Sequence, residues 1–178
     1  MAEPTRIISV IGRKDAGKTT LVVALASEFT RQKRKVGTIK QGHHPAILDA
    51  EGTDTWRHYN EGLARRTLLD APGQRVMFER TNAPGDPEAL VAQFMNDMDI
   101  VLVEGFEDAP LPKIEVHRST LHPAPLYDAG AANAGLWTAI VTDDRELRAP
   151  ITVFRFTDTA WLVSLSHVVW NGAKVLGR

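Results

Sequence analysis

Ile7-Ile8-Ser9-Val10-Ile11-Gly12-Arg13-Lys14-Asp15-Ala16-Gly17-Lys18-Thr19-Thr20-Leu21 is the stretch that decides how the rest of the chain is read. Gly12 to Thr19 spell a complete G-x-x-x-x-G-K-T phosphate-binding loop. The apolar, β-branched run Ile7 to Ile11 in front of it reads as a buried parallel strand. Behind it, Leu21, Val22, Leu25, Ala26 and Phe29 recur at three- and four-residue spacing, which predicts a helix. Arg31, Lys33, Arg34 and Lys35 then fall where cations suit a helix C-terminus. Strand, loop and helix around every fixed position separate this match from a chance one.

Each loop residue has a physical task. Gly12 and Gly17 let the backbone turn tightly and approach phosphate oxygens without a Cβ in the way. The loop N–H groups and the positive end of the next helix form an anion nest. Lys18 is placed to reach the β- and γ-phosphates, and the Thr19 hydroxyl to ligate Mg²⁺.

The chain of 178 residues suits one domain, taken here as a single nucleotide-binding domain over 1–178. Lys plus Arg number 21 against 22 Asp plus Glu, so net charge advertises neither nucleic acid nor a membrane surface. With no cysteine, disulfides and thiolate metal sites are excluded, which fits a cytoplasmic protein. No basic start followed by an apolar core suggests secretion, and no apolar run approaches membrane-spanning length.

Further along, Val36 to Lys40 predicts a second strand, and Gln41-Gly42-His43-His44-Pro45 leaves its carboxyl end. Ligands gather at that end of open α/β sheets, so Lys40, His43 and His44 are expected near the phosphate loop. Thr53 or Asp54 can cap a short helix through Asn60. Arg66 to Asp70 and Arg75 to Glu79 predict a hairpin turning at Ala71-Pro72-Gly73-Gln74. Glu88 to Met95 reads as a helix, and Asp99-Ile100-Val101-Leu102-Val103-Glu104-Gly105-Phe106 as a central strand delivering a carboxylate at its end. That carboxylate suits Mg²⁺ or its waters; a helix cap or surface acid is the plainer alternative. Lys113 to His117 alternates and predicts a half-buried strand, Ser119 to Gly135 has no period, and Leu136 to Val141 and Ile151 to Phe154 predict two more strands. A closing helix is expected behind a Thr157-Asp158 cap, with Leu162, Leu165, Val169, Ala173 and Leu176 on one face. Alternating strands and helices give an α/β, P-loop NTPase-like fold: a mainly parallel sheet flanked by helices, with the hairpin as an antiparallel extension at one edge. An exposed edge invites pairing with another subunit.

Gly12 to Thr20, Val36 to Lys40 with His43-His44, Gly52-Thr53-Asp54 with Arg57, Val101 to Phe106 and Pro112 to Val116 occur in this order. The succession resembles the molybdopterin-guanine dinucleotide biosynthesis protein B (MobB) family from about Arg6 to Val153. The resemblance implies a homodimeric GTP-binding protein with weak, Mg²⁺-dependent GTPase activity. Its implied partner is a MobA-like guanylyltransferase that joins GMP to molybdopterin, with molybdopterin or its guanine dinucleotide form as a further ligand. By the family pattern Gly12 to Thr20 hold the phosphates, while Lys40 and Glu104 lie around the γ-phosphate and Mg²⁺, which makes Lys18, Lys40 and Glu104 the candidate catalytic residues. Gln41 stands where the family often has histidine, and Asp15-Ala16 replace smaller residues; both bear on affinity rather than on binding.

Several residues keep more than one reading. His43 and His44 can contact a pterin or phosphate, hold the loop, or bind a metal. Asp49 and Asp54 are either outer ligands of Mg²⁺ or helix-capping acids. Arg13 and Lys14 raise the local potential, or one reaches across a dimer as an arginine finger. Asp143 can accept hydrogen bonds from guanine N1 and N2 or cap a helix, but no N-K-x-D pattern accompanies it, so guanine rests on the resemblance. The rivals to the GTP-binding reading are a P-loop small-molecule kinase, an ATP-dependent ligase, and a metal-delivery GTPase using His43 and His44.

Overall fold

The computed structural model describes residues 3–42, 44 and 49–177. The elements in chain order are β1 (Arg6–Ile11), α1 (Lys18–Arg31), β2 (Val36–Lys40), α2 (Asp54–Asn60), β3 (Arg66–Ala71), β4 (Gln74–Glu79), α3 (Pro87–Phe94), β5 (Ile100–Glu104), β6 (Lys113–His117), β7 (Trp137–Thr142), β8 (Thr152–Arg155), α4 (Trp161–Gly172) and β9 (Lys174–Val175). They form two compact units: one contains the chain through Gln41 and again from Asp86, the other is Gly42–Gly85.

The first unit is a seven-stranded sheet in the order β2-β5-β1-β6-β7-β8, with β9 beside the start of β1. Every neighbouring pair along that order is parallel, and only β9 runs antiparallel. β1 is central: the chain crosses from it to β2 on one side, and from β5 over it to β6 on the other, which creates the switch point at its carboxyl end where α/β sheets bind ligands. The apolar runs read from the sequence explain the layering. On one face Ile8, Val10, Ile100, Leu102, Ile114 and Val116 pack under Leu21, Leu25 and Phe29 of α1 and Leu165 and Val169 of α4. On the other, Ile7, Val101 and Val103 meet Val91 of α3 and Leu111. Strands with apolar side chains on both faces are those of a covered parallel sheet.

β6 departs from its expected half-burial: all five of its residues are buried. Ile114 and Val116 join the α1/α4 core, so Lys113, Glu115 and His117 point to the other face. There each meets irregular chain rather than water. Lys113 Nζ donates to the carbonyls of Ala109 and, at 3.0 Å, Leu111. The Glu115 carboxylate accepts the N–H groups of Leu126 at 2.6 Å and Tyr127 at 3.1 Å. His117 Nε2 donates to the His122 carbonyl at 3.0 Å, while Nδ1 lies 3.0 Å from the Thr142 hydroxyl. Alternation in the sequence is real, but it separates two kinds of burial.

The last helix also starts differently. Asp158 Oδ2 accepts the Arg155 N–H at 3.1 Å and so tightens the exit from β8. α4 begins only at Trp161, after Ala160 at φ 55°, with no side-chain cap. α3 does have one, Asp86, whose carboxylate accepts the Ala89 N–H at 3.0 Å.

In the second unit Thr53, one of the two caps that the sequence offered, caps α2 through the Trp56 N–H at 3.3 Å. β3 and β4 pair antiparallel from Arg66↔Glu79 to Ala71↔Gln74 and form a two-stranded sheet of their own, rather than an edge of the larger one. Tyr59 of α2 meets Phe78 of β4 with ring centroids 5.8 Å apart, and the Arg80 guanidinium stacks 4.1 Å over Tyr59.

Candidate functional site

β1 delivers the chain at Ile11 and the phosphate loop starts at once. Gly12 takes φ 146°, and a Cβ there would collide with the backbone carbonyl of Val116 on β6, so glycine is demanded by both conformation and space. Asp15, at φ 61°, occupies the left-handed region that aspartate tolerates. Gly17, at φ 102°, opens α1 with no side-chain cap. The helix therefore offers its first N–H groups to whatever lies in the loop. Ala16 is buried, whereas Arg13, Lys14 and Asp15 are exposed. Thr20 is exposed beside them. Lys18 Nζ bends back over the loop and donates to the Gly12 and Arg13 carbonyls, both at 2.8 Å.

Three predicted residues converge beside that loop. β2 and β5 are in register with Lys40 opposite Glu104, so both strands deliver their last side chains to one place. Glu104, 7% exposed, accepts at Oε1 from the Thr19 hydroxyl at 2.8 Å and from Lys40 Nζ at 2.5 Å. Lys40 Nζ also lies 3.5 Å from Thr19 Oγ1. A hydroxyl and a carboxylate oxygen within hydrogen-bond reach at the start of α1 form the hard, oxygen-only donor set that Mg²⁺ requires. Thr19 and Glu104 thus fit this ion, with Lys40 as the cation that neutralises Glu104 meanwhile. After Glu104 the chain turns through Gly105 at φ 91° and Phe106 at φ 55°. Gln41 stabilises this turn: its Oε1 accepts the Phe106 N–H at 2.8 Å. An amide oxygen at position 41 therefore ties the ends of β2 and β5 together.

A residue that sequence reading missed completes the rim. Arg118, directly after β6, donates through Nε to the Ala16 carbonyl at 3.2 Å and stacks 3.9 Å over the Phe156 ring. Its Nη1 lies 3.9 Å from Asp143 Oδ2. The position just past the Lys113–His117 strand was the available clue, because that strand ends beside the loop. Asp143 follows β7 and accepts at Oδ1 from the Ser119 N–H at 2.8 Å and the Ser119 hydroxyl at 3.0 Å. Partial burial pushes its carboxyl up, but the Ser119 N–H and hydroxyl, with Arg118 nearby, outweigh this and hold it below the usual carboxylate range.

The remaining candidates belong to the second unit. Asp49 accepts from the Thr53 hydroxyl at 2.9 Å and the Thr55 hydroxyl at 2.8 Å, organising the start of α2. The Thr55 bond in particular lowers its carboxyl below the ordinary value. His44 is exposed. His43 lies outside the described residues. Among the described residues no group of three His, Asp or Glu side chains is placed to hold a metal ion by itself. No helix among them is long and apolar enough to cross a membrane.

The family model described as molybdopterin guanine dinucleotide synthesis protein B matches residues 7–143. A molybdopterin-guanine dinucleotide biosynthesis adapter protein from Haemophilus influenzae is 36% identical over 124 residues, 68% of this chain and 69% of that protein. The Escherichia coli adapter protein is 31% identical over 108 residues, 57% of this chain and 59% of its own length. Among solved structures, Bacillus subtilis MobB aligns with a TM-score of 0.69 at 22% identity, over 95% of this chain and 98% of that one. A MobB homolog from Bacillus stearothermophilus gives 0.63 at 22%, over 93% and 98%. At that identity the structures speak for the fold alone, a P-loop NTPase-like one. The family match, spanning both strand ends and the loop between them, decides the rest: the chain belongs to the MobB family of adapters in molybdopterin guanine dinucleotide biosynthesis.

Proposed function

We propose that this chain is a Mg²⁺-dependent GTP-binding adapter with slow GTPase activity, acting with the MobA-like guanylyltransferase that attaches GMP to molybdopterin. The observation that carries the reading is the meeting of Thr19, Glu104 and Lys40 beside a phosphate loop whose helix N-terminus is free of any side-chain cap. Loop N–H groups from Gly12 to Thr20 take the phosphates, and Lys18 exchanges two carbonyl bonds for phosphate oxygens. Thr19 and Glu104 would hold Mg²⁺, which would supply positive charge to the phosphates, and Lys40 would then be free of Glu104 to face the γ-phosphate. Glu104, held against Thr19 and engaged as a ligand of Mg²⁺, would be a poor general base. Positioning and electrostatics then carry hydrolysis, and turnover is slow. Asp143, oriented by Ser119 and kept ionised, is the proposed acceptor for guanine N1 and N2. The exposed apolar residues of the hairpin support a homodimer.

Calorimetric titration with GTP and with ATP, each with Mg²⁺, tests the reading, repeated on Lys18→Ala. GTP binding preferred over ATP and abolished in the variant is the expected result. Preference for ATP, above all with phosphoryl transfer to an added acceptor, would replace the proposal with a kinase or ligase.

A further inference from the structure

The edge strand β8 carries a second concentration of charge that the nucleotide reading leaves unused. Phe154 of β8 is buried in the α1/α4 core, so Ile151, Val153 and Arg155 share the opposite face. The chain leaving β7 folds over that face. Together they enclose an open cleft of about 370 Å³, with Leu147, Ile151 and Val153 as its apolar walls and Arg145, Arg148 and Arg155 as its polar ones.

The arginines are arranged unusually. Arg148 Nη1 donates to the carbonyls of Arg145 and Leu147, both at 3.0 Å. Arg155 Nη2 donates to the same two carbonyls, at 3.2 and 3.3 Å. Two guanidinium groups are thereby drawn to one pair of oxygens. Among the described residues no carboxylate stands within ion-pair distance of any of the three arginines. The nearest acids along the chain serve the backbone instead. Asp144 accepts the N–H groups of Glu146 and Leu147, and Asp158 that of Arg155. Glu146 is exposed.

Like charges gathered without a counter-charge repel, and an anion entering between them removes that cost. Each guanidinium has five N–H donors, so most remain after one carbonyl contact pattern is satisfied, in a fork that matches phosphate oxygens. The volume falls within the range of roughly 300–1,000 Å³ typical of small-molecule sites. An inorganic ion would leave the apolar walls uncovered. A flat ring laid against Leu147, Ile151 and Val153, with guanidinium edges to stack on, uses both halves of the cleft.

We infer that this cleft binds a phosphomonoester carrying a flat, largely apolar ring system, with the phosphate between Arg148 and Arg155. The cleft shares no lining residue with the phosphate loop and does not depend on the GTP reading. Flavin mononucleotide is a suitable probe, with riboflavin and inorganic phosphate as its two halves. Flavin fluorescence is titrated on the full chain, on Arg148→Ala, Arg155→Lys and Arg145→Ala, and on Lys18→Ala, with thermal melts confirming that each variant folds. Flavin mononucleotide should bind at least tenfold more tightly than riboflavin. Arg148→Ala should weaken it tenfold or more, Arg145→Ala and Arg155→Lys less, and Lys18→Ala should leave it unchanged. Inorganic phosphate should compete. Loss in Lys18→Ala with the arginine variants unaffected would assign the probe to the phosphate loop and overturn the inference. Equal binding of riboflavin, or no binding of the flavin phosphate, would overturn it too. So would an acidic peptide such as a glutamate decamer binding in an Arg148-dependent way where the phosphomonoester does not, since the cleft would then dock protein.

Discussion

At the scale of single residues, Glu104 is the point on which the site turns. It receives two donors of different kind on one oxygen, a hydroxyl that can become a metal ligand and an ammonium that stands in for positive charge. In a nearly buried position that carboxylate needs a cation at all times, and Lys40 supplies one from the neighbouring strand. Glu104→Gln keeps the shape and the hydroxyl contact but removes the charge that favours Mg²⁺. Hydrogen bonds to charged groups contribute about 1.5–3 kcal/mol. The Mg²⁺ concentration giving half-maximal GTP binding should therefore rise roughly tenfold to a hundredfold, with affinity for metal-free GTP changed little. Titrating Mg²⁺ at fixed GTP measures it. An unchanged Mg²⁺ midpoint would remove Glu104 from the metal side and leave it as a structural acid holding Thr19.

At the scale of elements the hairpin has an exposed face of its own design. Leu68 of β3 lies directly opposite Met77 of β4, 61% and 40% exposed. The pair is bracketed by ion pairs on the same face, Arg66–Glu79 and Asp70–Arg75, both at 2.7 Å. An apolar centre between charge pairs is the pattern of an interface core with a polar rim, and each strand also has an unpaired outer edge. If this face joins two copies, Leu68→Glu with Met77→Glu buries carboxylates there and should weaken the dimer by roughly a hundredfold or more. Light scattering across a dilution series reads the change; a dimer indifferent to both substitutions would move the interface elsewhere, and a monomeric parent chain would end the homodimer proposal. How much of this was legible beforehand follows from the physics of each element. The hairpin, β1, β5 and the phosphate loop are written in local periodicity and turn residues, so the ends that carry Lys18, Thr19, Lys40 and Glu104 could be placed from sequence. The burial of β6 was not legible, because Glu115 and His117 bond to chain that has no period, and the role of Arg118 was not, because Ala16, Asp143 and Phe156, which it joins, are far apart in sequence. α4 was misjudged at its start because Thr157-Asp158 has a cap's composition, while Asp158 serves the turn after β8 instead.

At the scale of the whole molecule, irregular chain within 118–133 covers a sheet face that elsewhere is covered by α3, and β6 is what holds it. Glu115 does the central part with two backbone N–H bonds, yet it is 1% exposed. Burial pushes its carboxyl above the ordinary value, against the N–H groups of Leu126 and Tyr127, which pull it down. A raised native pKa means that the folded chain binds this proton more tightly than the unfolded one. The contribution of Glu115 to stability is therefore fully present below the ordinary glutamate pKa and is lost as pH climbs through the raised native value. Each unit of that difference is worth about 1.4 kcal/mol. Glu115→Gln is neutral throughout and keeps an acceptor oxygen for one of the two N–H groups, a loss that does not vary with pH, so its melting temperature minus that of the parent should increase from pH 4.5 to pH 7.5. For a chain of this size about 1 kcal/mol moves the melting temperature by roughly 2–4 °C, which a pair of scanning-calorimetry series resolves. A difference that shrinks with pH would mean that the two N–H bonds outweigh burial and hold the carboxylate ionised, so that the cover over β6 is fastened by charge rather than in spite of it.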